Sequence, residues 1–317
     1  MESQESPRER RSMPRTITPL STAATTGFSM LRFPLKQDVL HATVKAALQE
    51  DGAFNDVTTI ATVVSDRRSR ATLVAREHGV ICGVPLALEA FRILDAKGSI
   101  RVEHEDGAAL TAGEPVLFVT GHARGLLSAE RVALNYMQRL SGIASLTAKY
   151  VAAVKHTNAK ILDTRKTTPG WRALEKYAVR AGGGTNHRMD LSTGVLIKDN
   201  HLAALDGDVA KAVTRARELA PKGVKIEVEC DRLEQVIRAV DAGADIVLLD
   251  NMPTEVLAEC VRTVGGRAIL EASGGVNLDT VRAIAETGVD RISIGTLTKD
   301  IKATDFSMRL KELQRQQ

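Results

Sequence analysis

Apolar and polar positions follow two different rhythms along this chain, and the change of rhythm divides it. Over 36–50, Val39, Val44, Ala47 and Leu48 recur at helical spacing, and the polar segment Asn55-Asp56-Val57-Thr58-Thr59 after them reads as a loop. Short β-like runs follow at 70–77, 79–84, 100–104 and 115–120, punctuated by Asp106-Gly107 and Ala112-Gly113, with a helix expected near 85–94. That composition predicts an antiparallel meander with packed helices, an α+β domain.

The second half alternates short apolar strands with amphipathic helices. Strands are predicted at 160–163, 195–197, 225–228, 246–249, 268–270 and 291–294, and helical spacing at 209–219, 233–242, 253–264 and 278–286. From the third strand on, strand ends recur about every 22 residues, close to one βα unit. A parallel α/β barrel follows. Residues 1–30 are rich in Ser, Thr, Arg and Pro with almost no apolar periodicity, so they bury too little to offset the entropy of ordering and are expected to form a disordered tail. Glu2, Glu5 and Glu9 fit poorly with a transit peptide.

Composition narrows the class. Aromatic residues make up 3% of the 317, so the core must come from Ala, Val, Leu and Ile, and there is little to stack on bases. The net charge of +4 comes from cations interleaved with Asp and Glu, which favours a local anionic ligand over a nucleic acid. Cys82, Cys230 and Cys260 are odd in number and lack C-x-x-C spacing, so neither a disulfide framework nor a zinc site is indicated and a reducing, cytoplasmic setting is expected. No stretch of roughly 18 apolar residues is present, so no membrane-spanning helix is expected.

A parallel barrel carries its chemistry at the carboxyl ends of its strands. Here those ends are Thr164-Arg165-Lys166, Lys198-Asp199-Asn200, Glu229, Asp250, Ser273-Gly274-Gly275 and Gly295. Each alone would pass as a turn residue or a salt bridge; together they cap an apolar cylinder. Arg165, Lys166 and Lys198, joined by His187 and Arg188 on a Gly-rich loop expected to be mobile, repel one another unless a multiply anionic ligand sits among them. Glu229 and Asp250 close adjacent strands; they read either as structural ion pairs or as the one or two carboxylates that Mg2+ takes alongside a diphosphate. Asp199 and Asn200 are candidates to assist through water. Ser273, Gly274, Gly275 and Gly295 offer bare N–H groups where barrels often hold a phosphate. A strand-end lysine such as Lys198 could also serve as a Schiff-base nucleophile. Before the barrel, Arg131, Asn135 and Gln138 form a polar stripe on an otherwise apolar helix, to be satisfied by backbone groups or by a second subunit.

The motifs carrying these residues together resemble the quinolinate phosphoribosyltransferases: E-R-x-x-L-N-x-x-Q-R-L-S-G-I-A from Glu130, D-T-R-K-T-T-P-G from Asp163, G-G-G-T-N-H-R from Gly182, L-I-K-D-N-H from Leu196, E-V-E from Glu227, L-L-D-N from Leu248, E-A-S-G-G from Glu271 and I-S-I-G-T-L-T from Ile292. The resemblance runs from about residue 36 to the C-terminus. It implies an N-terminal α/β sandwich domain over 36–140, an incomplete, open α/β barrel over 141–299, and a C-terminal helix over 300–317 packing back on the first domain. It implies that Thr164, Arg165, His187, Arg188 and Lys198 surround the carboxylates of quinolinate, with Arg131 reaching in from the partner subunit of a homodimer, which could assemble further. Lys166, Ser273, Gly274, Gly275 and Gly295 would take the phosphates of phosphoribosyl diphosphate, and Glu229 and Asp250 its Mg2+ and ribose hydroxyls, with Lys198, Glu229 and Asp250 as the catalytic set. The family often has His after the G-x-L-T segment, where this chain has Lys299 and Asp300. The implied reaction yields nicotinate mononucleotide, diphosphate and carbon dioxide, for NAD biosynthesis.

Overall fold

The computed structural model describes residues 31–313; the expected disordered tail at 1–30 lies outside them. In the first layer the period-two pattern is directly visible. Strand β1 (Arg68–Ala75) buries Ala71, Leu73 and Ala75 while Arg68 and Arg70 face out, as half-buried strands do. The helices of this layer are α1 (Gln37–Glu50), α2 (Val57–Thr62) and α3 (Val84–Leu94). Its other strands are β2 (Gly79–Val80), β3 (Ser99–Val102), β4 (Ala109–Leu110) and β5 (Pro115–His122). β1 pairs antiparallel with β5, β5 with β3, and β2 with β4 in a separate two-stranded ribbon.

Two expectations fail here. The segment read as a polar loop starts α2, because Asp56 accepts the Thr59 N–H (3.0 Å) and so caps the helix. The expected C-terminal helix is instead a strand, Phe306–Glu312, the twelfth along the chain, which pairs antiparallel with β1 from Phe306 opposite Ala75 to Glu312 opposite Ser69. Phe306, Met308 and Leu310 stand two residues apart, the period of a strand rather than of a helix. The meander thus becomes a four-stranded sheet closed by the chain's far end.

A single 32-residue helix, α4 (Ala123–Val154), runs through the expected domain boundary at 140/141 without a break. It buries Leu126, Ala129, Val132, Ala133, Met137, Leu140, Ile143 and Ala144 at helical spacing, so it packs along much of its length. One end lies on α3 and the strands of the first sheet; the other meets the barrel.

The barrel strands are β6 (Lys160–Leu162), β7 (Val195–Ile197), β8 (Ile226–Cys230), β9 (Ile246–Asp250), β10 (Ile269–Ser273) and β11 (Arg291–Ser293), which makes the C-terminal strand β12. They form one parallel sheet in the order β6-β11-β10-β9-β8-β7, with β6 and β7 as its two edges, so the barrel is open. Helices α5 (Arg172–Ala181), α6 (Asp199–Ala203), α7 (Val209–Leu219), α8 (Leu233–Asp241), α9 (Thr254–Val264), α10 (Val281–Glu286) and α11 (Thr296–Lys299) connect them. The register sets interior rows. Glu229 lies opposite Leu248, Leu248 opposite Glu271, and Glu271 opposite Arg291, while Asp250, Ser273 and Ser293 form the row above. Among the described residues no helix is long and apolar enough to cross a membrane.

Candidate active site

The carboxyl ends of the barrel strands enclose a cavity of about 910 Å3. Thr164, Arg165, Lys166, His187, Arg188, Lys198, Glu229, Asp250, Ser273, Gly274, Gly275 and Gly295 all stand in its wall. Arg131 does not. It and Asn135 are exposed on α4, whereas Gln138 is taken up by the returning C-terminal segment, its side-chain amide donating to Phe306 O (3.4 Å) and its backbone carbonyl accepting the Thr304 N–H (3.0 Å). Asp199 and Asn200 stand at the start of α6, outside the wall.

Arg165 and Arg188 form the cationic side. The Nε of Arg165 is buried with no hydrogen-bond partner, an arrangement that costs free energy until an acceptor arrives. Burial lowers the pKa of Arg188 and the neighbouring Arg165 cation lowers it further, so both guanidinium groups gain from an anion between them. Arg188 is aimed by one hydrogen bond, from Nη1 to Gly194 O at 2.7 Å.

The Gly-rich loop bearing His187 and Arg188 is pinned, contrary to its expected mobility. A Cβ at Gly182 would collide with Ala144 O and one at Gly184 with Val179 and Thr147, so glycine lets this loop lie directly against α4. Below it a buried ion pair joins Lys176 of α5 to Asp163 at the end of β6. Lys176 also donates to His187 O (3.0 Å), and Asp163 accepts the His187 N–H (2.9 Å) and the Asn186 amide. Burial raises Asp163 and lowers Lys176, and each partner opposes the shift in the other. One fully hydrogen-bonded pair thus fixes the Arg165-Lys166 and His187-Arg188 segments relative to each other.

The His187 ring is held as well. Its Nδ1 accepts the Arg188 N–H (2.7 Å), and its Nε2 faces Glu227 Oε2 (3.2 Å) and Glu271 Oε1 (3.4 Å). Burial would depress its pKa, but hydrogen bonds and charge from the two carboxylates outweigh that and push it up to about 9. Accepting the Arg188 N–H needs an unprotonated Nδ1, so this hydrogen bond opposes the second proton that the two carboxylates favour; the heavy-atom geometry fits a ring carrying its proton at Nε2. Burial raises Glu227.

The acidic side is built differently. Lys198 donates to Glu229 across the wall. Asp250 Oδ2 accepts the Asn251 amide at 2.8 Å, and Asn251 has the left-handed φ of 53° uncommon for a non-glycine residue. That turn lays its side chain against Gly274, where any Cβ would collide with it. On the far rim a Cβ at Gly295 would lie 3.1 Å from Lys166 Cδ, so Lys166 spans from β6 to the end of β11. Thr296, beside it in the wall, has a buried hydroxyl with no partner.

Sequence reading gave no role to Glu227, Asn251, Glu271, Thr296 or Arg139. The last is an α4 side chain that donates to Thr168 Oγ1 (3.2 Å), Glu175 Oε1 (2.9 Å) and Thr298 O (2.9 Å), linking α4 to the loop after Lys166. A usable signal existed for Glu227, since it is two residues from Glu229 on one strand and shares its face. Lys299 lines the cavity and pairs with Asp300 at 3.4 Å.

Residues 143–309 match the family model described as the quinolinate phosphoribosyl transferase C-terminal domain, and 56–141 match that of the N-terminal domain. The chain is 44% identical over 281 residues to the nicotinate-nucleotide pyrophosphorylase [carboxylating] of Mycobacterium leprae, covering 86% of this chain and 98% of that one. It is 42% identical over 259 residues to the probable enzyme of that name from Bacillus subtilis, covering 82% and 89%. Its fold superposes on NadC from Streptococcus pyogenes with a TM-score of 0.84 at 42% identity, covering 88% of this chain and 99% of that one. On the nicotinate-nucleotide pyrophosphorylase from Francisella tularensis the TM-score is 0.83 at 39% identity, with 88% and 98% covered.

Proposed function

Because this chain belongs to the quinolinate phosphoribosyltransferase family, we propose that it transfers the phosphoribosyl group of phosphoribosyl diphosphate to the nitrogen of quinolinate, giving nicotinate mononucleotide, diphosphate and carbon dioxide for NAD biosynthesis. The observation that carries this reading is the buried, unpartnered Nε of Arg165 beside Arg188 in the cavity wall, two cations placed to share an anion.

Thr164, Arg165, His187, Arg188 and Lys198 form the side that takes the two ring carboxylates. Lys166, Ser273, Gly274, Gly275 and Gly295 take phosphate oxygens, and the free hydroxyl of Thr296 extends that set. Glu229 and Asp250 suit Mg2+, since both are hard oxygen donors in one wall and this ion is commonly held by one or two carboxylates plus substrate phosphates. Such an ion would neutralise charge on the departing diphosphate.

The quinolinate nitrogen, held in line by its carboxylates, attacks C1 of the ribose as the C1–oxygen bond breaks and its electron pair leaves with diphosphate. Positive charge grows on the sugar beside Glu229 and Asp250, and negative charge on the phosphates beside Lys166. The ring nitrogen is then cationic and stabilises the electron pair left at C2 when carbon dioxide departs; C2 takes up a proton. Positioning of two substrates can contribute roughly 7 kcal/mol or more. Lys198 acts in this scheme as an ion-paired ammonium, which is a poor Schiff-base nucleophile. We further read the protein as cytoplasmic, from three free and buried cysteines, and as a homodimer in which the exposed Arg131 of one subunit completes the site of the other.

Preference for quinolinate over nicotinate tests the carboxylate side. Removing one carboxylate leaves a desolvated cation unpaired, at ~2–5 kcal/mol. The kcat/KM for quinolinate should exceed that for nicotinate by at least about tenfold, one decade for each ~1.4 kcal/mol. Equal values for the two acids, measured with saturating phosphoribosyl diphosphate, would refute the assignment.

A further inference from the structure

Both ring nitrogens of His187 are engaged by the protein itself, and the groups that engage Nε2 have no role in the scheme above. Glu271 is fully buried on β10, and neither of its carboxylate oxygens has a well-aligned hydrogen-bond partner; its neighbours are His187 Nε2 at 3.4 Å and the Arg291 guanidinium at 3.9 Å. Glu227, on β8, is nearly as deep. Two buried carboxylates beside each other are costly unless something holds them together.

Possible ligand atoms of His187, Glu227 and Glu271 lie within 4.8 Å of one another, which invites a divalent ion. The ring argues against it. Nδ1 already accepts the Arg188 N–H, so Nε2 keeps its proton and has no lone pair for a metal unless the Arg188 peptide turns away. The proton on Nε2 and the cations of Arg291 and Arg188 are what balance the carboxylates. Asp163, just past β6, and Lys176 of α5 are taken up with the His187 backbone and with each other.

We propose that Glu227 and Glu271 are positioning residues for the carboxylate-binding side of the cavity: together they hold the Nε2–H of His187, and through its Nδ1 the ring fixes the peptide that presents Arg188. The proposal rests on the reading of that side as the quinolinate site. Glu271 reaches the cavity wall beneath the ring whereas Glu227 does not; both are given their role through His187, and this explains why an acidic pair sits directly under a cationic wall.

The test combines kinetics with a readout that needs no turnover. In full-length protein labelled with 15N-histidine, and with the His187 signal assigned by a His187→Gln variant, the wild-type ring, once titrated to its neutral form above about pH 9, should show one tautomer, protonated at Nε2. Glu227→Ala should convert it to a mixture. The same variant should raise the quinolinate KM about tenfold, the scale of one lost charged hydrogen bond, and leave the KM for phosphoribosyl diphosphate within about twofold. Glu227→Gln, whose amide oxygen can accept the same N–H, should recover most of both losses. If Glu227→Ala does not fold, Glu271→Ala and Glu271→Gln provide the comparison at the second carboxylate. An unchanged tautomer, equal shifts in the two KM values, or no recovery with Gln in a folded protein would overturn the proposal. Wild-type protein that ignores quinolinate would instead defeat the functional reading, and the ring spectrum would still decide whether the glutamates hold His187.

Discussion

Asp250→Ala is expected to lower turnover by about 10²–10³-fold, the scale of removing one preorganised charge-stabilising group, while quinolinate binds within about twofold of its normal affinity. Asp250 closes β9 in the row of Ser273 and Ser293, its carboxylate aimed by the Asn251 amide, and it makes no ion pair with the arginines that face the carboxylates. Its loss should therefore fall on the ribose and diphosphate end alone. Glu229→Ala should also lose turnover, but it additionally frees Lys198 from its ion pair and leaves that cation available to the dicarboxylate. Quinolinate should then bind as tightly as in wild type, or more tightly. Titration calorimetry with quinolinate beside steady-state rates separates the two variants, and a normal magnesium-dependent rate in Asp250→Ala would remove the assignment.

The strands that carry Asp250 and its neighbours could be read from sequence because buried parallel strands are near-continuous apolar runs, as in Ile246-Val247-Leu248-Leu249. The polar residue that ends each run then marks the rim. What failed was pairing over long sequence distance. The strand at Phe306–Glu312 finds its partner in Arg68–Ala75, at the opposite end of the described chain, and nothing local announces it beyond the two-residue spacing of its apolar side chains. Glu227 and Glu271 were hidden for a related reason. Each looks like an ordinary motif residue until the barrel closes and brings both to one imidazole ring. The Gly-rich loop looked mobile because its glycines suggest freedom, whereas here they permit close contact with Ala123–Val154.

Mixing two inactive proteins should restore activity. Arg131 is exposed and stands outside its own subunit's cavity wall, whereas Lys198 lies within it. In a shared-site dimer, Arg131→Ala and Lys198→Ala homodimers should each be nearly inactive. A mixed dimer then carries both lesions in one site and neither in the other, so it should regain up to about half the wild-type activity per dimer. If Arg131 served its own subunit, every site would keep one lesion and nothing would return. The measurement is activity after co-expression of differently tagged variants and isolation of the mixed species. No recovery in a demonstrated heterodimer would remove the shared-site arrangement and leave the rest of the cavity assignment to stand on its own residues.

The central claim, that this cavity joins quinolinate to a phosphoribosyl group and then decarboxylates it, is tested most directly with quinolinate labelled in its C2 carboxylate. Incubated with the protein, phosphoribosyl diphosphate and Mg2+, it should release labelled carbon dioxide in step with diphosphate and nicotinate mononucleotide, one of each per turnover, and release none when phosphoribosyl diphosphate is left out. Label retained throughout, with no nicotinate mononucleotide formed, would contradict it.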